Sequence, residues 1–286
     1  MGVGMTFVIL SGGIDLSVGS VLALTTMVVS SLIEKSQIHP FIVMPLVLLM
    51  GTGFGAFMGL LIQVFKIPPF IATLGGLYVA RGLCYVVSID TIAITHPIYT
   101  SLSRYQINII GNNFISINVV MAFIIVLIGV FLAHYTKFGR TVYAIGGNEQ
   151  SALLMGLPVG RTKIIIYAFN SFCATLAGIA FTFYMRSGYA LHGVGMEMDT
   201  IAAVAIGGTL LTGGYGYVIG TVFGVLISGT IQYLIMFQGT LNAWWTKIAI
   251  GILVCLFCLF QRLFTARQTS RVGAIKKEQK AEVSTI

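Results

Sequence analysis

Ile117-Asn-Val-Val-Met-Ala-Phe-Ile-Ile-Val-Leu-Ile-Gly-Val-Phe-Leu-Ala-His-Tyr135 contains no Asp, Glu, Lys or Arg. Its length matches the ~20 residues that a helix needs to cross a ~30 Å hydrocarbon core. Six further runs read the same way: 17–33, 41–63, 69–88, 164–185, 217–236 and 244–261. Two shorter apolar pieces, 1–12 and 200–214, end in paired glycines, Gly12-Gly13 and Gly213-Gly214. Period-2 alternation is absent, and a bilayer admits only helices or closed barrels, so strands are not expected. The fold class is therefore all-α, a polytopic transmembrane helix bundle of about nine crossings, seven of them full-length.

Composition agrees. Of 286 residues, 57% are hydrophobic and only 8% charged, against about 25% charged in soluble proteins. Sixteen Lys/Arg and eight Asp/Glu are too few to cover a soluble surface, which excludes a soluble domain, a disordered region and a conventional nucleic-acid binder. Six of the basic residues (Arg262, Arg267, Arg271, Lys276, Lys277 and Lys280) form a membrane-flanking tail rather than a DNA-binding face. The chain divides into a membrane-embedded part, 1–262, containing a basic loop, 137–163, and a basic tail, 263–286. Segment 136–163 holds Lys137, Arg140, Arg161 and Lys163 against Glu149, whereas 187–199 carries only Glu197 and Asp199. The positive-inside rule puts 136–163 and the C-terminus in the cytoplasm. Hydrophobic sequence begins at Val3 with no basic leader, so no signal peptide is expected. Cys84, Cys173, Cys255 and Cys258 all lie in apolar stretches and form no secreted disulfide framework.

An internal repeat links the two Gly-Gly segments. Shifting the chain by 201 residues lays Leu10-Ser-Gly-Gly-Ile-Asp-Leu-Ser-Val-Gly-Ser-Val21 over Leu211-Thr-Gly-Gly-Tyr-Gly-Tyr-Val-Ile-Gly-Thr-Val222, with five identities. Transport proteins commonly use repeats whose interrupted helices meet near the bilayer midplane. Each interruption frees backbone groups that must find partners. Gly12, Gly13, Gly213 and Gly214 are therefore candidates for lining a pathway, or equally for tight turns at the membrane edge.

Other motifs carry less chemistry. Gly51, Gly55 and Gly59 form a small-residue stripe, and Gly220 with Gly224 a second, both suited to close helix packing. Asp15, beside Ser17, is the only acid inside an apolar block. It is either a functional carboxylate or a cap for a helix starting at Leu16. One carboxylate makes a poor proton relay, which argues against a proton-coupled carrier. Arg81 snorkels to the interface or makes a structural contact, or else pairs with Asp15 or a polar substrate. Thr73, Asn170, Ser171, Thr175 and Gln232 either face a pore or bond between helices. HExxH, GxSxG and the Gly-x-x-x-x-Gly-Lys-Ser/Thr phosphate loop are all absent. No catalytic residue, metal or cofactor is expected on this chain, which does not itself bind ATP.

Within 137–163, Asn148 caps a short helix running to Met155, with Glu149 and Gln150 in its first turn. Gly156 ends it and Pro158 prevents continuation. Leu153, Leu154 and Met155 then face either a partner protein or the lipid surface.

Gly12-Gly-Ile-Asp-Leu-Ser-Val-Gly19, Lys66-Ile-Pro-Pro-Phe-Ile-Ala-Thr-Leu-Gly75 with Ala80-Arg-Gly82, Ala144-Ile-Gly-Gly-Asn-Glu-Gln-Ser-Ala-Leu-Leu-Met-Gly-Leu157 and Ile206-Gly-Gly-Thr-Leu-Leu-Thr-Gly-Gly-Tyr-Gly216 together form a pattern. It resembles the ribose/galactoside-type permeases of bacterial ABC importers, in order across the chain to about 262. Leu191-His-Gly-Val-Gly-Met-Glu-Met-Asp199 and Gly239-Thr-Leu-Asn-Ala-Trp-Trp-Thr-Lys-Ile-Ala-Ile-Gly251 look closest to the galactofuranose-importer branch. The resemblance implies a second permease, identical or homologous, two cytoplasmic ATPase chains that hold ATP and Mg, and a periplasmic sugar-binding protein. It implies an inner-membrane location and no nucleic-acid partner. It also implies that Asn148, Glu149, Ser151, Leu153, Leu154, Met155 and Gly156 form the helix that docks into the ATPase. Family members carry a further helix ahead of the Gly4-Met5-Thr6-Phe7 block, so ten spans become nine in this chain. The reading from another class is an ATP-independent carrier of a small polar solute.

Overall fold

Lipid-facing helices keep their apolar side chains outward, so a bundle in a membrane is held by its small and polar residues. That logic organises the computed structural model, which describes residues 1–110, 113–238 and 244–261. Its helices are α1 (Gly2–Leu10), α2 (Val18–Ser30, continued by a π turn Ser31–Lys35), α3 (Pro40–Val64) and α4 (Pro69–Val87). There follow α5 (Pro97–Arg104), α6 (Ile117–Tyr135), α7 (Lys137–Gly147), α8 (Glu149–Leu154), α9 (Val159–Met185), α10 (Met196–Ile206), α11 (Val218–Phe237) and α12 (Trp244–Gln261). Seven helices among the described residues are long and apolar enough to cross a membrane, and they coincide with the seven runs read from the sequence. The fifth starts at Val159 rather than 164. Pro158 presets the first turn there, and Arg161 and Lys163 sit inside it, although their charge reads as loop.

Strands do occur, against expectation, but only as short ladders between helices. Ile92–Ala93 (β1) pairs antiparallel with Ser187–Gly188 (β4), and Gln106–Ile110 (β2) with Asn113–Ser116 (β3). Strands of two to five residues are too short for a period-2 signal to stand out.

The chain divides into two units, Met1–Val225 and the remainder from Leu226. In the first, α3 lies along α9 through its glycine stripe. A Cβ on Gly55 would sit 2.5 Å from Ser171 Cβ, and one on Gly59 2.8 Å from Ile164 Cα, so the backbones are in contact. Gly53, off the stripe, meets nothing. On the other side of α9, Gly4 of α1 lies against Asn170, where a Cβ would be 2.8 Å from its Cα. Gly220 and Gly224 of α11 fit against the backbone of Gly207 and Ala203 in the same manner. The core is α1, α2 and the inner face of α9. Met5, Phe7, Val18, Met27, Ile166 and Ala174 are all buried there. By contrast only Gly129 and Ala133 of α6 are buried, leaving that helix an outward apolar surface. In the second unit, α12 begins with exposed Trp244, as an interfacial anchor does. The basic tail 263–286 lies outside the described residues.

Candidate functional site

Helix α1 ends just before its Gly-Gly pair, whereas α10 ends at Ile206, ahead of the loop that carries Gly213-Gly214. Gly12 (φ +76°), Gly213 (+87°) and Gly214 (+79°) adopt the left-handed region that glycine enters without steric cost. The two turns meet. Gly214 N donates to the Leu10 carbonyl at 2.9 Å, and a Cβ on Gly213 would lie 2.7 Å from Gly12 N. The freed backbone groups are thus satisfied by each other, as the interior of a membrane protein demands.

A third pair, Gly146-Gly147, closes the node. A Cβ on Gly146 would collide with the Leu10 carbonyl and the Gly214 amide, and one on Gly214 would be 3.0 Å from Gly147 Cα. Tyr143 Oη donates to the Gly216 carbonyl at 2.6 Å. Burial pushes this phenol above its usual range, with Tyr217 adding to the shift, so it stays a donor at neutral pH. Tyr143, Gly146 and Gly147 all belong to α7, which the sequence reading left as loop. Its signal was present in the 3.6-residue spacing of Phe138, Val142 and Ile145, the last two of them buried.

The helix after the node begins as the sequence predicts. Asn148 Oδ1 accepts from Ser151 N at 2.8 Å, capping α8, with Glu149 in the first turn. Gly156 (φ +74°) reverses the chain, and its N–H donates to the Leu153 carbonyl. Ala152 packs inward with Ile145 and Val159. Leu153, Leu154 and Met155 are 54%, 90% and 67% exposed among the described residues, an apolar tip. Glu149 and Lys163 pair at 2.7 Å, holding α8 against the start of α9.

Asp15 lies beyond the first glycine turn and is fully buried. Its Oδ1 accepts from Ser17 N (2.8 Å) and Ser17 Oγ (2.6 Å), and its Oδ2 from Asn170 Nδ2 (2.8 Å). The carboxylate therefore serves as a turn cap and also ties that turn to α9. The helix it precedes starts at Val18, with Ser17 at the cap position, rather than at Leu16. Asn170, read only as one of several polar span residues, is its cross-link, and Asn170 Oδ1 has no hydrogen-bond partner among the described residues.

Arg81 joins none of this. Its Nη1 donates to the Ala190 and His192 carbonyls, the latter at 2.9 Å. It does not pair with Asp15; it fastens the segment between α9 and α10. Glu197 Oε1 accepts from Gly195 N in that segment. Burial lowers the His192 pKa below its ordinary value. No group of three His, Cys, Asp or Glu gathers among the described residues.

Seven membrane-length apolar helices, with a node of glycine turns and an exposed apolar tip in the first unit, are the features of a multi-pass membrane permease. The family described as "Branched-chain amino acid transport system / permease component" matches residues 1–258, and the chain belongs to it. The inner membrane ABC transporter permease protein YjfF of Escherichia coli (strain K12) is 54% identical over 97% of this chain and 85% of its own. The fructose import permease protein FruG of Bifidobacterium longum (strain NCC 2705) is 42% identical over 97% of this chain and 81% of its own. The ribose import permease protein RbsC of Bacillus subtilis (strain 168) is 39% identical over 91% and 79%. No solved structure matches. The ribose-type likeness read from the motifs agrees with these relatives.

Proposed function

We propose that this chain is the permease subunit of an ATP-driven monosaccharide importer of the bacterial inner membrane, with galactofuranose the favoured sugar. It forms the translocation pathway with a second permease, identical or homologous. A periplasmic sugar-binding protein delivers substrate, and cytoplasmic ATPase subunits hold ATP and Mg. Loop 136–163 and the C-terminus face the cytoplasm, and α8 is the helix that docks into the ATPase.

The observation that supports this most directly is the path from α8 to the glycine node. The exposed tip of α8 follows α7 with only Asn148 between them, and α7 abuts both Gly-Gly turns. A displacement of α8 by nucleotide-driven closure is thereby delivered to α1 and α10 together. Gly12, Gly13, Asp15, Ser17, Gly213 and Gly214 are then the hinge of the pathway. Asp15 is hydrogen-bonded to Ser17 and Asn170, which leaves little for an ion-coupled carrier to use. Galactofuranose rests on the sequence of 191–199 and 239–251; the relatives named above point to ribose and fructose as neighbours in substrate chemistry.

The test is labelled-sugar uptake in proteoliposomes holding the permease, its ATPase and its binding protein. Uptake should require ATP, and Leu153→Asp, at a 54% exposed position, should abolish uptake and ATPase association while leaving the fold intact. Uptake without ATPase would replace this reading with a carrier. Transport of ribose but not galactofuranose would overturn the branch assignment alone.

A further inference from the structure

Between α7 and the start of the span α9 a cleft of about 720 Å³ opens, within the ~300–1,000 Å³ typical of small-molecule sites. Lys137, Arg140 and Arg161 line it, and its floor is Phe138, Leu157 and Ile165. The only salt bridge among the described residues is Glu149–Lys163, so no carboxylate in the described chain neutralises these three cations. An acidic side chain of another protein would satisfy the charge, but most of the surface lining the cleft is apolar and would be left without a partner. A phosphate attached to a hydrocarbon chain satisfies both.

The level in the membrane fits as well. Tyr135, the last residue of α6, is 73% exposed and stacks on Phe131, the position of an aromatic belt at the headgroup boundary. Lys137 follows two residues later, and Ile165, 51% exposed, lies nearly two turns into the span α9. The cations therefore sit at headgroup height and the floor runs toward the hydrocarbon. Basic pockets between transmembrane helices bind anionic lipid headgroups by this arrangement.

We infer that the α7–α9 cleft binds an anionic phospholipid of the adjacent leaflet, its phosphate held by Lys137, Arg140 and Arg161 and an acyl chain along Phe138, Leu157 and Ile165. The site stands beside α8 and the glycine node, so a lipid there braces α7 against α9. This inference stands independently of the sugar and of the ATPase.

Full-length protein purified in uncharged detergent is titrated with dioctanoyl phosphatidylglycerol, dioctanoyl phosphatidylcholine and glycerol 3-phosphate. Binding is read by native mass spectrometry and by thermal shift. Phosphatidylglycerol should bind and raise the melting temperature, with the other two much weaker. Each neutralised cation near a charged lipid weakens binding about fivefold, so Arg140→Gln/Arg161→Gln should lose about 30-fold. Arg140→Lys/Arg161→Lys should retain most of it. Ile165→Ser should weaken phosphatidylglycerol and leave glycerol 3-phosphate unchanged. Equal binding of the two lipids, or no effect of the double glutamine variant, would overturn the proposal. Glycerol 3-phosphate binding as tightly as the lipid would make this a free-phosphate site. If the glutamine variant keeps its lipid but loses ATPase association, the cleft is a protein contact instead.

Discussion

Replacing Gly146 by alanine adds one methyl group at the point where α7 touches both Gly-Gly turns. Built on the existing backbone, that methyl overlaps the Leu10 carbonyl and the Gly214 amide. These two groups share a 2.9 Å hydrogen bond. They must separate, because both neighbours are backbone and cannot rotate aside. Losing one backbone hydrogen bond costs about 0.5–1.5 kcal/mol, and overpacking a fitted contact about 1–3 kcal/mol. The expected penalty on the closed node is therefore roughly 2–4 kcal/mol, a shift of about 30-fold or more in a two-state equilibrium. The tip Leu153-Leu154-Met155 is untouched, so ATPase association should persist while uptake falls at least tenfold. Gly147→Ala is the matched control, because a Cβ there meets nothing within 4 Å, and it should transport normally. The assay is uptake and ATP hydrolysis in the same proteoliposomes, with melting temperature as the folding check. If Gly146→Ala and Gly147→Ala transport alike, the node does not transmit motion and the reasoning fails.

Three further outcomes follow from the same geometry. Gly55→Val should prevent stable insertion or lower the melting temperature sharply, since even its Cβ lies 2.5 Å from Ser171 Cβ, whereas Gly53→Val should be near neutral; equal melting temperatures would show that α3 does not pack through its stripe. Asn170→Leu should destabilise the protein by about 1–3 kcal/mol by stripping a partner from buried Asp15, read by thermal unfolding, and Asp15→Asn in the same background should restore part of that loss. His192, with its pKa lowered in the folded segment, binds fewer protons there than when the segment opens. Stability of 189–195 is therefore complete above the free-histidine pKa of about 6.5 and lost as pH falls below it. The protection factor of that segment, which removes the intrinsic pH dependence of amide exchange, should fall as pH drops from about 7.5 to about 5.5, and His192→Phe should abolish that fall.

The parts of this structure legible in the sequence are those set by local composition. All seven spans follow from apolar length, since a helix in lipid satisfies its backbone within about twenty residues. The α8 cap follows from Asn148, and its end from Gly156, because both act over one turn. The errors lie where charge and local pattern disagree with packing. Arg161 and Lys163 read as loop, yet they belong to the first two turns of α9, where Lys163 pairs with Glu149. For Arg81 the charge pattern leaves Asp15 open as a partner beside a structural contact, and it is the structural contact, to two backbone carbonyls, that forms. Nothing in the neighbourhood of Gly146 announces Leu10 or Gly214, which stand far from it in sequence.

The internal repeat shows how far duplication constrains a site. Adding 201 to Val18, the first residue of α2, gives Ile219, one residue inside α11, so the helices after the two turns are equivalent. The helices before them are not. Leu10 closes α1, but its counterpart Leu211 lies five residues beyond the end of α10 at Ile206. Gly208, at φ +88°, breaks α10 early, and Gly207 then lies against the Gly220 backbone. The counterpart of Asp15 is Gly216, and the two are held by different helices. Asp15 is tied to α9 through Asn170, and the Gly216 carbonyl to α7 through Tyr143. One copy of the turn is thus fixed to a membrane span and the other to the helix that leads into α8. A push arriving at α8 reaches both turns through Gly146 of α7, but only the first is also tied to a membrane span. That asymmetry predicts that Tyr143→Phe, which removes only the bond to Gly216, should loosen the second turn alone. Exchange should rise at 210–217 and stay unchanged at 10–17; a rise in both would mean that the two turns move as one body.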